Sequence, residues 1–194
     1  MLMTILIIGI IVFFGIHLIP IFALKERLID KCGRLPYMGV FSVVTGLGLA
    51  FIIYGKASAP FVAIWQPMIG SHWVPVILML PASILISWAY VPGNMKNTLQ
   101  HPMLMGVTLF SVAHLFANGD LASLLLFGSF LIYSLMTMLR LFKKSNSNDT
   151  KLKGSKLKMN RWDGMAIVAG SLVYVLVFLY HSKIAGVAIP LAAI

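Results

Sequence analysis

Charged residues are scarce in this chain, and acidic residues are the scarcest of them. Of 194 residues only 10% are charged, with 5 Asp and Glu against 15 Lys and Arg, whereas 60% are hydrophobic. A soluble domain is normally about a quarter charged, so this chain lacks the polar side chains that a water-facing surface needs. The composition excludes an ordinary soluble enzyme. It predicts an integral membrane protein that forms a single transmembrane domain over residues 1–194.

Cysteine is nearly absent as well. The one cysteine, Cys32, excludes an internal disulfide. The start of the chain lacks the basic segment of a signal peptide, and its first apolar run, from Met1 to Leu24, is longer than the apolar core of such a peptide. We therefore expect this run to be retained as a first transmembrane helix.

Six apolar stretches are long enough to cross a bilayer. They cover about residues 3–24, 37–55, 73–91, 102–118, 121–139 and 164–181. The predicted fold class is therefore all-α, a polytopic membrane bundle of six transmembrane helices. Only Asn118-Gly119-Asp120 separates the fourth stretch from the fifth, and this short turn predicts an antiparallel helical hairpin.

The basic residues predict the orientation of these helices. The first, third and fifth connectors carry 4, 1 and 8 Lys or Arg, and the other connectors carry few. The positive-inside rule places the richer side in the cytoplasm, so both termini are expected to be extracytoplasmic. The eight residues of the fifth connector predict a basic cytoplasmic loop at residues 140–161. Its Ser and Asn neighbours suit contact with anionic lipid head groups better than binding of nucleic acid.

The six predicted helices contain no Asp, Glu, Lys or Arg, and their candidate ionisable residues are histidines. His17 and His114 lie within them, His181 lies near an outer end, and His101 stands at the inner end of the fourth. An ionisable side chain at membrane depth is costly and is a candidate for function. The missing carboxylates exclude most proton-coupled carriers and carboxylate-bridged metal pairs. The chain also has no recognisable nucleophile-and-base motif for hydrolysis.

Neutral imidazoles on facing apolar helices suit an iron porphyrin, which they bind from both sides. Ala113 leaves room for a flat ring beside His114, and Ser111 and Asn118 are placed to orient the imidazole. The alternative is a non-catalytic transporter of a small neutral solute or an assembly factor. Its histidines would only form hydrogen bonds between helices. His101, which precedes a proline, also suits the start of a helix.

Several motifs resemble the NnrU family of bacterial membrane proteins, over almost the whole chain. The motifs are His101-Pro102-Met103-Leu104, Ala113-His114-Leu115, Asn118-Gly119-Asp120, Leu125-Leu126-Phe127-Gly128-Ser129-Phe130, Gly15-Ile16-His17, Leu80-Pro81-Ala82 and Tyr90-Val91-Pro92-Gly93. The resemblance implies a protein of the bacterial inner membrane that is linked to nitrite and nitric oxide metabolism. The plant and cyanobacterial 15-cis-zeta-carotene isomerase looks like a relative, and it is a membrane b-haem enzyme. A redox protein or a polyene isomerase with haem b as cofactor is therefore expected.

Carrying over the ligands of that relative implies that His17 and His114 bind the iron. The chain departs from the family pattern after His17, where an Arg is common and Leu18, Ile19 and Pro20 stand here. In the predicted topology the depths of His17 and His114 differ by something on the order of 10 Å. Depth alone pairs His114 with His181, and His17 with His101. His101 and His181 are therefore reserve ligands.

Overall fold

The computed structural model describes residues 2–22, 24–68, 70–71, 73–147 and 159–185. Within these ranges the chain forms eight α-helices and no regular strand. They are α1 (Leu2–Ile21), α2 (Leu24–Cys32), α3 (Arg34–Ser58), α4 (Trp73–Tyr90), α5 (Asn94–Leu99), α6 (Pro102–Ala117), α7 (Leu121–Ser147) and α8 (Arg161–Ala185).

The helices confirm the prediction of an all-α membrane protein. Five of the helices that the structure describes, namely α1, α3, α4, α7 and α8, are long and apolar enough to cross a membrane. Helix α6 is also apolar but has only 16 residues, or about 24 Å at 1.5 Å per residue. The hydrocarbon core of a bilayer is about 30 Å thick. A sixth crossing by α6 and an extracytoplasmic position of both termini therefore stay predictions.

The connectors differ from the predicted ones in two respects. Two of them contain helices of their own, α2 and α5, which hydropathy does not indicate because both are rich in polar residues. Helix α7 runs on to Ser147, so the first part of the predicted basic loop at residues 140–161 is helical. The residues 148–158, with four of its basic side chains, lie outside the part of the chain that the structure describes.

The helices divide into two compact units. The first unit comprises Met1–Trp65 and Asp120–Ser129, and the second comprises Gln66–Gly119 and Phe130–Ile194. The units are described separately below.

Glycines bring α1 and α3 together in the first unit. A Cβ atom added at Gly48 would lie 2.8 Å from the backbone nitrogen of Phe13, and one at Gly9 would lie 2.6 Å from that of Ile52. Further along, Gly55 leaves the same kind of space for the backbone of Leu6. The contacts run in opposite directions along the two helices, which are therefore antiparallel. Small residues allow such close approach where lipid provides no hydrophobic drive for helix association.

The second unit is arranged around α4, against which α6 and α8 pack. A Cβ atom at Gly106 of α6 would lie 2.9 Å from the Ala82 carbonyl oxygen, and one at Gly170 of α8 would lie 2.7 Å from Cα of Ile84. The Tyr174 hydroxyl donates a hydrogen bond of 2.9 Å to the carbonyl of Val76. These contacts make α4 the central helix of the second unit.

Helix α6 also packs against the part of α7 that belongs to the second unit. The Thr108 hydroxyl contacts the fully buried Ser134 hydroxyl at 2.9 Å. The rings of Phe110 and Phe130 meet edge to face with their centroids 6.3 Å apart. Because earlier residues of α6 meet later residues of α7, the two helices run antiparallel, as the hairpin prediction requires.

Candidate functional site

His17 lies on α1 in the first unit, among aromatic rings. Its Nδ1 forms a hydrogen bond of 2.6 Å with the carbonyl oxygen of Phe13, one turn earlier in the same helix. The two rings stack with centroids 4.4 Å apart and planes at 27°. The ring of Phe41 meets His17 edge-on at 5.3 Å. The imidazole is thus oriented by its own helix and by an aromatic residue of α3.

His114 lies on α6 in the second unit, in a similar local arrangement. Its Nδ1 forms a hydrogen bond of 2.9 Å with the carbonyl oxygen of Phe110, and their ring centroids are 4.4 Å apart. The neighbouring Ala113 and Ser111 are fully buried. The backbone beside this imidazole is therefore closely packed.

The two residues predicted to orient the His114 ring have other roles. The Ser111 hydroxyl donates to the carbonyl of Val107 at 2.8 Å. The Asn118 amide donates to the main-chain carbonyl of His114 at 2.9 Å. Both bonds satisfy backbone groups of α6 instead. The Phe110 carbonyl is the partner of Nδ1, and orientation of the imidazole by Ser111 or Asn118 stays a prediction.

The shared geometry of His17 and His114 assigns their tautomers. A carbonyl oxygen can only accept, so a hydrogen bond to it requires the proton to be on Nδ1. In a neutral imidazole Nε2 is then the acceptor nitrogen, through which a histidine can bind a metal. Both sites come from the same pattern, a Phe four residues before the His. The sequence contains this signal twice, and sequence reasoning missed it.

The reserve ligands lie in the second unit. His101 occupies the N-cap position of α6, with proline at the first helical position, as its sequence context predicts. Its ring meets that of Phe142 edge-on with centroids 6.0 Å apart. His181 lies on α8. His114 and His181 both belong to the second unit, and His17 belongs to the first.

Over the described ranges, the chain has no group of three or more His, Cys, Asp or Glu side chains able to hold a metal ion. An iron that a macrocycle already holds needs only one or two axial ligands from the protein.

A buried carboxylate at the start of α7, Asp120, was not singled out from the sequence. It accepts hydrogen bonds from the backbone nitrogen of Ser123 at 3.0 Å and from its hydroxyl at 2.5 Å. The Lys56 ammonium lies 2.9 Å from the same carboxylate. Burial alone would raise the pKa of the Asp120 carboxyl, but the bonds from Ser123 and Lys56 outweigh it and lower that pKa. This ion pair joins the end of α3 to the start of α7 within the first unit.

A second buried carboxylate, Asp163, joins three elements of the second unit. It accepts hydrogen bonds from the backbone nitrogens of Asn94 at 3.1 Å, Met95 at 3.0 Å and Asn160 at 2.8 Å. It thereby caps α5 from a position 68 residues away along the chain. A Cβ atom at Gly93 would clash with the carboxylate, so the glycine makes this approach possible. The sequence signal was an Asn three residues before an Asp at a helix start, the pattern of a capping box.

The comparisons with known proteins assign the family. The family model described as NnrU protein matches residues 5–189, nearly the whole chain. The chain belongs to the NnrU family. No curated protein and no solved structure matches it. The match confirms the resemblance that the sequence motifs indicated. It agrees with the apolar helices, which indicate a multi-pass membrane protein.

Proposed function

We propose that this NnrU-family chain is a b-haem protein of the bacterial inner membrane, with His114 as an axial ligand. The observation that supports the proposal is the Nδ1 hydrogen bond to the Phe110 carbonyl, which orients the ring and makes Nε2 the acceptor nitrogen of a neutral imidazole. With a single cysteine, the chain lacks the C-x-x-C-H sequence that attaches c-type haem covalently. A non-covalent, b-type cofactor is therefore the one that fits.

The surroundings of His114 fit a porphyrin in their chemistry. The aromatic rings of Phe110 and Phe130 supply apolar surface. Bound haem supplies one-electron redox chemistry and an iron that acts as a Lewis acid. The residues of the chain supply orientation and exclude water. Such a centre suits redox reactions of nitrite or nitric oxide metabolism, or the isomerisation of an apolar polyene.

Two histidines compete as the second axial ligand. The family resemblance favours His17, whose tautomer matches that of His114. Membership of the same unit as His114 favours His181. Absorption spectra of the purified variants His17→Ala and His181→Ala decide between them. The variant that loses a true ligand changes from a six-coordinate, low-spin spectrum to a high-spin one, and added imidazole restores the original bands.

The matched control for these variants is His101→Ala. This histidine lies on the same helix as His114, at its N-cap, and its ring contacts Phe142. We expect its spectrum to equal that of the unmodified protein, whereas His114→Ala loses the haem band. A loss of haem on changing His101 but not His114 would overturn the assignment of the ligands.

The alternative function is a non-catalytic transporter or assembly factor. The observation in its favour is that His17 and His114 each bond to a carbonyl of their own helix and stack on a ring, which stabilises an imidazole without any cofactor. In that case the protein from haem-replete cells is colourless, and His114→Ala leaves the absorption spectrum unchanged.

A further inference from the structure

We infer that α2 is an interfacial helix that lies in the lipid head-group layer and binds the phosphates of anionic lipids. The helix covers Leu24–Cys32 and is joined by very short connections to α1 and α3. Both neighbours are candidate membrane spans. A helix held between the ends of two spans lies at the membrane surface, in reach of the head groups.

The exposed apolar residues of α2 share one face. Leu24, Leu28 and Cys32 follow each other at intervals of four residues, which places them one above the other on a helix. All three are exposed, Leu24 by 42% and Leu28 by 36%. Because α1 and α3 leave this face uncovered, its apolar side chains are available to the acyl chains of the lipid.

Two of the three basic residues of α2 border this face, one on each side, and Arg27 lies further round the helix, roughly 60° before Leu24. At about 100° per residue, Lys31 lies roughly 20° before Leu24 and Lys25 roughly 20° beyond Cys32 around the helix axis. Long basic side chains at such edges bury their aliphatic part along the apolar surface and raise the ammonium group to the phosphates. This arrangement is complementary to an anionic membrane surface.

The acidic residues lie on the opposite face. Glu26 and Asp30 are four residues apart and fall roughly 180° from the centre of the apolar face, and both are exposed. They are directed to water when the apolar face meets lipid. An apolar centre with basic edges is complementary to a layer of anionic head groups above acyl chains.

The single cysteine allows a direct test in lipid. A bimane fluorophore on Cys32 of the full-length protein reports the lipid beside α2 when the vesicles contain brominated lipid, which quenches on contact. We expect brominated phosphatidylglycerol to quench the label several-fold more than brominated phosphatidylcholine, at equal total bromine. Equal quenching by the two lipids would overturn the binding of anionic lipid, and no quenching by either would overturn the interfacial position.

Charge variants of α2 distinguish binding of anionic lipid by the two lysines at the edges from a general attraction of the basic protein to an anionic membrane. The double variant Lys25→Gln with Lys31→Gln should abolish most of the several-fold preference for phosphatidylglycerol, since it removes both ammonium groups that border the apolar face. The matched control Glu26→Gln with Asp30→Asn, on the far face, should retain or increase it. An unchanged preference in the lysine variant would contradict the proposal.

Discussion

The two compact units of this protein hold their helices together by the same means but stabilise their buried carboxylates differently. In each unit, glycines allow antiparallel helices to approach closely. In the first unit the buried Asp120 faces the Lys56 ammonium, whose side chain is 33% exposed. In the second unit the donors to the fully buried Asp163 are main-chain N–H groups of α5 and of the segment before α8. A charge that is stabilised by fixed backbone dipoles should tolerate change less well than one that pairs with a partly hydrated lysine.

The largest effect is expected from removing the carboxylate in the second unit. Asp163→Ala leaves the backbone nitrogens of Asn94, Met95 and Asn160 without their acceptor. We expect the Tm in detergent to fall by roughly 10 °C, because unsatisfied buried donors are costly. Asp163→Asn keeps one acceptor oxygen, so its Tm should lie between those of the unmodified protein and Asp163→Ala. The control is Asp30→Ala on the exposed α2, and equal Tm values for this control and Asp163→Ala would contradict the comparison.

The next effect concerns the glycine contacts, which should matter equally in the two units. Gly48→Ala forces a methyl group against the Phe13 backbone, and Gly170→Ala forces one against Ile84. Each should lower the free energy of unfolding by about 2 kcal/mol through overpacking.

Matched controls for these glycines lie in the same helices. A Cβ atom at Gly46 of α3 or at Gly164 of α8 meets nothing within 4 Å. Chemical denaturation should therefore show Gly46→Ala and Gly164→Ala to be as stable as the unmodified protein. If all four variants were equally destabilised, the loss would come from the change of residue type and not from the contacts.

The smallest effect is expected at the ion pair of the first unit. Asp120→Asn keeps an acceptor for Ser123 but removes the charge that faces Lys56, and should cost about 1 kcal/mol, since water and salt screen a partly exposed pair. The cost should shrink at high salt. Removing Asp163 should be insensitive to salt, and this difference distinguishes the two carboxylates.

The same pair predicts a dependence on pH. Because folding lowers the pKa of the Asp120 carboxyl, its stabilisation is complete above the pKa of the unfolded chain. It is lost as the pH falls through the lower, folded value. Denaturation curves between neutral pH and the range below the usual carboxylate pKa should show this loss in the unmodified protein. A loss of equal size in Asp120→Asn would assign it to other groups.

Much of the fold could be predicted because a bilayer requires long apolar helices, which hydropathy detects directly. The predicted stretches at residues 3–24 and 73–91 correspond to α1 and α4 within a few residues. Helix α2 was missed because its apolar face is narrow and lies between five charged residues. Such a helix has the period of an amphipathic surface, which a search for uninterrupted apolar runs does not detect.

The candidate site was predictable in its residue types but not in its contacts. His17 and His114 stood out because the interior of the predicted spans has no Asp, Glu, Lys or Arg. The carboxylates were missed because their partners are distant in sequence. Lys56 precedes Asp120 by 64 residues, and Met95 precedes Asp163 by 68. Local sequence patterns indicate a helix cap at each of the two carboxylates. Only the tertiary fold brings the distant partner, Lys56 or Met95, to the carboxylate.

The central proposal is that His114 holds an iron porphyrin, and one absorption measurement tests it most directly. The unmodified protein, purified from haem-replete cells, is measured in the oxidised and the dithionite-reduced state beside His114→Ala. We expect the unmodified protein to show a Soret band that shifts on reduction, with about one haem per chain, and His114→Ala to lack this band. A colourless protein, or a band of unchanged position and intensity in His114→Ala, would contradict the proposal.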